Sequence, residues 1–299
     1  LAPVPRHRAA ARRLRGGART DERPSAVPWA CGVTASTVSA MTIQLHLVGG
    51  LHGGAGRSLT AALFAVGLHL HGRKVLLLRQ TCDGAVVLLD PIESTLPLPC
   101  CTLMLPPPYV LPADLNAGTA TMIHQSDDRF LSAVHRLAEA EVGDDADVVV
   151  DLCCHERALN AAAVHQAALV LVPVRSSVLE IDGAVRGFSH VRHAQRYRNC
   201  VAPVVLATIT PDDQRADQRT LLGSLLRDCD PERDLLPGEP SELMVEAPFL
   251  DESILLNLFD ERPIWRAPDL MARCLAFATA AMAGAEAFRR MMAEHADDF

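Results

Sequence analysis

Seven consecutive residues, His52-Gly53-Gly54-Ala55-Gly56-Arg57-Ser58, hold the densest chemical information in the chain. Glycines at 53, 54 and 56 let the backbone curl so that successive N–H groups point inward at an anion. Arg57 places a cation where it could neutralise β- and γ-phosphates, and the Ser58 hydroxyl could ligate Mg²⁺. Such a string becomes a phosphate site only between a strand and a helix, where the helix N-terminus adds its partial positive charge. That context is present, because Ile43–Val48 reads as a strand and Ser58–His71 as a helix. Asp151 is the natural second element. It ends the apolar run Val148-Val149-Val150, and a carboxylate at the C-terminal end of a strand lies near the ligand crevice of a doubly wound sheet, where it would hold Mg²⁺ through water. The bland alternatives are a structural turn for the loop and an ordinary strand-terminating Asp at 151. Position, hydroxyl and downstream strand together favour a nucleotide site spanning His52, Gly53, Gly54, Ala55, Gly56, Arg57, Ser58 and Leu59.

The elements that must position these groups alternate along the chain. Lys74–Leu78, Asp147–Leu152, Leu169–Val174 and Ala202–Thr208 are short apolar runs of the kind a buried parallel sheet requires. Helical spacing is found in Asp127–Glu141, Ala158–Ala168, Ile181–Tyr197, Arg215–Arg227 and Ala267–Glu294, whereas residues 91–112 are Pro-rich and read as irregular. The rhythm implies an α/β protein: a doubly wound, mostly parallel sheet with helices on both faces, in one domain over residues 41–299. Residues 1–40, rich in Ala, Arg, Pro and Gly and preceding Met41, read as a disordered leader or translated upstream sequence, with an organellar transit peptide as the alternative.

Composition excludes several classes. With 299 residues and 49% hydrophobic side chains, the chain can bury a sizeable core. No uninterrupted apolar run reaches the ~18–20 residues of a membrane span, so no transmembrane segment is expected. Nine cysteines form no CxxC pair, which suits reduced thiols in the cytoplasm; Cys153, Cys154 and His155 are a weak metal alternative. Residues 1–40 hold seven Arg against Asp21 and Glu22, a net of +5, so the other 259 residues carry −13 of the total −8. A body this acidic disfavours DNA binding by bulk charge. Lys74 is the single lysine, so Arg has taken nearly every cationic position.

From His52 to Leu78 the sequence resembles the phosphate loop of the ParA/MinD family of deviant P-loop ATPases, KGGxGK[ST]. The stretch Asp147 to Val174, DVVVDLCCHERALNAAAVHQAALVLVPV, is similar to that family's second signature, and Asp251 to Ala276 to its tail. The resemblance covers most of residues 41–280 and implies a P-loop NTPase fold, ATP or ADP with Mg²⁺ held by Ser58 and Asp151, and a nucleotide-dependent homodimer. The departures are as informative. The family places a signature Lys at His52 and a second Lys at Arg57. Its two aspartates after the second strand fall on Arg79 and Thr81, the latter being the one that helps to position the attacking water. Asp83, two residues on, is the only nearby substitute, so Thr81 and Asp83 are the catalytic candidates. Binding groups are thus partly kept while hydrolytic ones are mostly missing, each such group being worth roughly 10²–10³ in rate.

The resemblance implies a switch in plasmid or chromosome partition or in DNA transfer, with weak or absent ATP hydrolysis and a ParB-like partner protein. The alternative is a MinD-like positioning or assembly regulator, such as the ParA-like accessory protein of bacterial cellulose synthesis, with an assembly factor as partner. DNA contact would fall to Arg186, Arg192, Arg196, Arg198, Arg215 and Arg219, whose plainer reading is a solvated helix face. A metabolic enzyme on the same fold is the weakest reading, since no glutaminase Cys/His arrangement is visible. Ala287–Phe299 reads as a frayed surface helix, because Glu294, Asp297 and Asp298 oppose an anionic membrane.

Overall fold

The structure, a computed structural model, describes residues 43–50, 56–81, 94–104, 130–152, 167–197, 202–229, 240–260 and 262–294. The leader 1–40, His52 to Ala55, Asp83, the Cys153-Cys154-His155 run and Arg198 lie outside the described residues.

The apolar runs form the centre of a seven-stranded sheet. In chain order the strands are β1 (Gln44–Val48), β2 (Val75–Thr81), β3 (Cys100–Met104), β4 (Asp147–Asp151), β5 (Ala167–Arg175), β6 (Val204–Ile209) and β7 (Met244–Glu246). Their spatial order is β3-β2-β4-β1-β5-β6-β7, and every pairing is parallel. The helices are α1 (Arg57–Leu70), α2 (residues 130–141), α3 (Val178–Tyr197), α4 (Arg215–Cys229), α5 (Glu252–Phe259) and α6 (Pro268–Glu294). Parallel strands need crossovers, and these cover both faces. Leu76, Leu78, Val148 and Val150 pack with residues of α2, α3 and α4, while Val75, Leu77 and Val149 pack with α1 and α6. Odd-numbered residues of β2 and β4 therefore face α1, because side chains alternate along a strand.

Several expectations change. Residues 91–112 are not wholly irregular, since Cys100–Met104 pair with β2 in the register Leu77↔Cys100. Prolines mark strand edges, and Pro99 enters this edge strand through its carbonyl, which accepts the Leu77 N–H at 3.0 Å. Ala167 and Ala168 belong to β5 rather than to a preceding helix. The short β7 and the helix α5, whose N-cap Asp251 accepts the Ile254 N–H at 2.9 Å, went unread. Residues 287–294 are not a frayed end: Phe288 is fully buried and carries the Arg192 guanidinium 4.9 Å above its ring centroid. By length and composition α6 could cross a membrane. Here Leu270, Cys274, Phe277, Ala278, Ala281, Ala285 and Phe288 are its buried residues, and burial pushes the Cys274 thiol up to about 12. Pro268 opens the helix at a position where its missing N–H has no intrahelical role.

At the amino end of the sheet lies a buried polar cluster. His46 Nε2 is 2.7 Å from Asp147 Oδ1, Arg73 Nε donates to Asp147 Oδ2, and Arg73 Nη2 donates to Gln44 at 3.0 Å. The His46 ring meets Phe64 edge to face at 5.4 Å, and its Nδ1 has no hydrogen-bond partner among the described residues. Burial holds the imidazole below its ordinary range, against the opposing pull of Asp147. A group with a depressed folded-state pKa contributes stability above the unfolded value, here 6.5, and loses it as pH falls through the folded value. The urea midpoint is therefore expected to fall more between pH 7.5 and 5.5 in the wild type than in His46→Gln, which keeps a donor to Asp147. Equal falls would contradict the assignment.

Candidate functional site

The loop joining β1 to α1 opens at the carboxyl end of the sheet, where β1 lies between β4 and β5. From β1 the chain crosses to one side of the sheet, and from β4 it crosses β1 to the other. That reversal is the crevice in which doubly wound sheets bind ligands.

Gly56 is held at φ +79°, a left-handed conformation suited to glycine, and a Cβ there would lie 3.0 Å from Ile209 Cδ1. Its carbonyl accepts both the Thr60 N–H and the Thr60 hydroxyl at 2.9 Å, which fixes the first turn of α1. The N–H groups of Arg57, Ser58 and Leu59 fall in the part of a helix that has no intrahelical acceptor. Leu59 turns its side chain to the core, so its offering to an anion is its main chain. Ser58 is half-buried.

Arg57 is only 9% exposed. Its stem passes Gly50, and Nη1 donates to the Leu152 carbonyl at 2.9 Å. The Leu152 N–H in turn donates to the Val48 carbonyl at 3.0 Å. One guanidinium thus ties the start of α1 to the chain just beyond β4. A guanidinium carries five N–H donors, of which this bond takes one. Asp151, 7% exposed, ends β4 in register with Val48 of β1 and with Arg79 of β2. Arg79 is also 7% exposed, and both side chains leave the sheet on the α1 face. Thr81 ends β2, two residues past the level of Asp151. Among the described residues no three His, Cys, Asp or Glu side chains gather as a metal site.

The sequence reading missed Arg175. It ends β5, also on the α1 face, and its Cδ lies 3.7 Å from where a Gly56 Cβ would stand. Its guanidinium is half exposed and 3.7 Å from Glu180, whose backbone N–H donates to the Ser177 hydroxyl at 3.3 Å while that hydroxyl donates to its carboxylate at 2.6 Å, at the start of α3. The signal was an arginine ending an apolar strand, the same signal that had singled out Asp151. Three arginines from α1, β2 and β5 therefore stand at the carboxyl end of the sheet around the loop.

The arginines proposed for a DNA surface fare differently. Arg192 is buried against Phe288 and donates to Met292 Sδ at 3.6 Å, so it faces the core. Arg186 pairs with Asp182 at 2.9 Å, Arg215 with Asp212 at 2.6 Å and Glu246 at 3.0 Å, and Arg219 with Glu246 at 3.7 Å.

Strand order, parallel register and two helical layers define a doubly wound α/β fold. No protein-family model matches the chain, and no curated protein does. Among solved structures the chain is similar to a ParA family ATPase from Chlorobium tepidum, at 10% identity and TM-score 0.48, over 79% of this chain and 98% of that one. It is similar to a plasmid partition protein from Borrelia burgdorferi at 13% identity and TM-score 0.47, over 80% and 98%. It is also similar to the MinD cell division protein of Aquifex aeolicus at 16% identity and TM-score 0.41, over 84% and 97%.

Proposed function

We propose that this chain is a cytoplasmic ParA/MinD-type protein that binds ATP or ADP at residues 52–59 and acts as a nucleotide-dependent dimeric switch with weak or absent hydrolysis. The observation that carries the reading is the placement of Arg57. It stands at the first residue of the helix after β1, buried, at the reversal point of the sheet, and fastened beside Asp151. Ser58 and Asp151 are the proposed metal-side residues, and Thr81 the position where a water-orienting carboxylate would be needed.

Partition or DNA transfer remains the first role proposed. The engaged arginines favour the second, a positioning or assembly regulator that works through proteins, because the helix faces offered for phosphate contact are matched by their own acids. Val178 and Leu179, 74% and 79% exposed at the start of α3, lie at the same end of the sheet as the loop. Adjacent exposed apolar residues beside a ligand site support a contact with a partner or with a second copy.

Hydrolysis supplies the test. Steady-state phosphate release from Arg57→Lys is expected to stay within about tenfold of the wild type, because a missing carboxylate at 81 is worth roughly 10²–10³ by itself. A gain of a hundredfold or more from that single change would show that position 81 is not limiting. Sedimentation velocity with and without ATP tests the switch, and an unchanged monomer at saturating nucleotide would contradict it.

A further inference from the structure

The outer face of α6 has the wrong chemistry for a surface left in water. The helix is apolar enough over 18 residues to cross a membrane, yet only 33% of that stretch is buried. Its buried residues, Leu270, Cys274, Phe277, Ala281 and Phe288 among them, fall on one side. A surface helix ordinarily turns charged and polar side chains the other way. Here the opposite side carries Ala272, Ala276, Ala280 and Ala283, all exposed and spaced to share one face. Thr279, which lies among them, is already engaged. Its hydroxyl donates to the Leu275 carbonyl at 2.8 Å and meets His71 Nε2 at 2.9 Å. The arginines at the margins turn to their own chain. Arg273 Nη1 donates to the Phe249 carbonyl at 3.1 Å, and Arg289 Nη2 to the Ala168 carbonyl at 2.5 Å.

Charge says what covers this face. Asp269 and Arg290, both exposed, bracket the alanines at opposite ends of the helix, about 32 Å apart along its axis. A two-fold pairing of the face with itself brings the same patch together from both copies. Run antiparallel, with the axis between Thr279 and Ala280, it sets Ala276 against the partner's Ala283 and Ala272 against the partner's Ala287. The same register sets Asp269 against the partner's Arg290, and symmetry repeats that pair at the other end. A parallel pairing would oppose Asp269 to the partner's Asp269 and Arg290 to the partner's Arg290, and would align the two helix dipoles. With alanine along the middle, the axes can approach to about 8 Å, the close end of helix packing.

We propose that the outer face of α6 binds a second copy of this chain, antiparallel, with no nucleotide required. The contact does not draw on the nucleotide reading, and its failure leaves that reading untouched. Added to a nucleotide-dependent dimer, it links dimers into larger assemblies.

A single helix pair is smaller than a standard interface, so a dissociation constant of about 1–100 µM is expected. Sedimentation velocity of the full chain in nucleotide-free buffer across that range is expected to show monomer passing into dimer. Ala276→Arg puts a cation at the middle of the contact from both copies and is expected to weaken it about tenfold or more. Asp269→Arg and Arg290→Asp are each expected to weaken it about three- to tenfold, there being two such pairs per dimer. The double exchange restores both pairs with reversed sign and is expected to return the constant to within about twofold of the wild type. A chain that stays monomeric across the range overturns the proposal. So does a dimer that Ala276→Arg leaves unchanged, which would assign association to another surface. A double exchange no tighter than either single variant overturns the antiparallel register. That rescue also keeps the test decisive if Ala276→Arg fails to fold.

Discussion

Gly67→Ala is expected to destabilise the protein by about 3 kcal/mol, the upper part of the range for overpacking a filled core. Gly67 lies in α1 where that helix crosses α6, and an added Cβ would stand 2.2 Å from the Cys274 carbonyl oxygen and 2.6 Å from Ala278 Cβ. The nearest obstacle is backbone, so no rotamer change relieves it. Alanine would gain ~1 kcal/mol in helix propensity, which the clash exceeds. In a domain of this size the loss corresponds to a fall in Tm of about 6–12 °C. Gly284→Ala is the control. It sits within α6, and its added Cβ would meet Val205 Cγ2 at an ordinary 3.5 Å. Stability there is expected to rise by up to ~1 kcal/mol, the propensity gain without the clash. Thermal unfolding of the two variants side by side checks the helix crossing, and equal effects would contradict it. The crossing matters for function because α1 carries Arg57 and Ser58 at its other end.

Arg57→Met carries the second large effect. The substitution keeps the buried stem beside Gly50 and removes the charge. A hydrogen bond to a charged group contributes about 1.5–3 kcal/mol, so the loss of one such bond to phosphate is expected to weaken ATP binding roughly 10–150-fold. The same change strands the Leu152 carbonyl, which now accepts from Nη1, and should cost about 1–3 kcal/mol of stability. The two effects are separable by urea unfolding without nucleotide and titration at a temperature where both proteins are folded. A variant that binds ATP like the wild type would place the phosphates elsewhere.

Much of this fold was legible because its central strands are short, continuous and apolar. β1, β2, β4, β5 and β6 lie in the inner rows of the sheet, where both faces are covered and periodicity gives way to simple hydrophobicity. The edges were harder. β3 is flanked by prolines and carries Cys100, Cys101 and Thr102, while β7 has three residues, too few to register as a pattern. Both depend on the neighbouring strand rather than on their own propensity. The loop and Asp151 could be read from glycine placement and from the end of a run. Arg175 and Arg79 could not be weighed properly, because their meaning lies in register: Arg79 beside Asp151, and Arg175 beside Gly56. Arg192 was misread for a related reason. On a helix with mixed polarity, nothing local indicates that Phe288, nearly a hundred residues away, will cover that face.

The central claim is that the β1–α1 loop binds a nucleotide. Titration of the full chain with a fluorescent ATP analogue, competed with unlabelled ATP, tests it most directly. A saturable signal displaced by ATP, and weakened in Arg57→Met, is the predicted result. No binding at millimolar nucleotide would contradict the account.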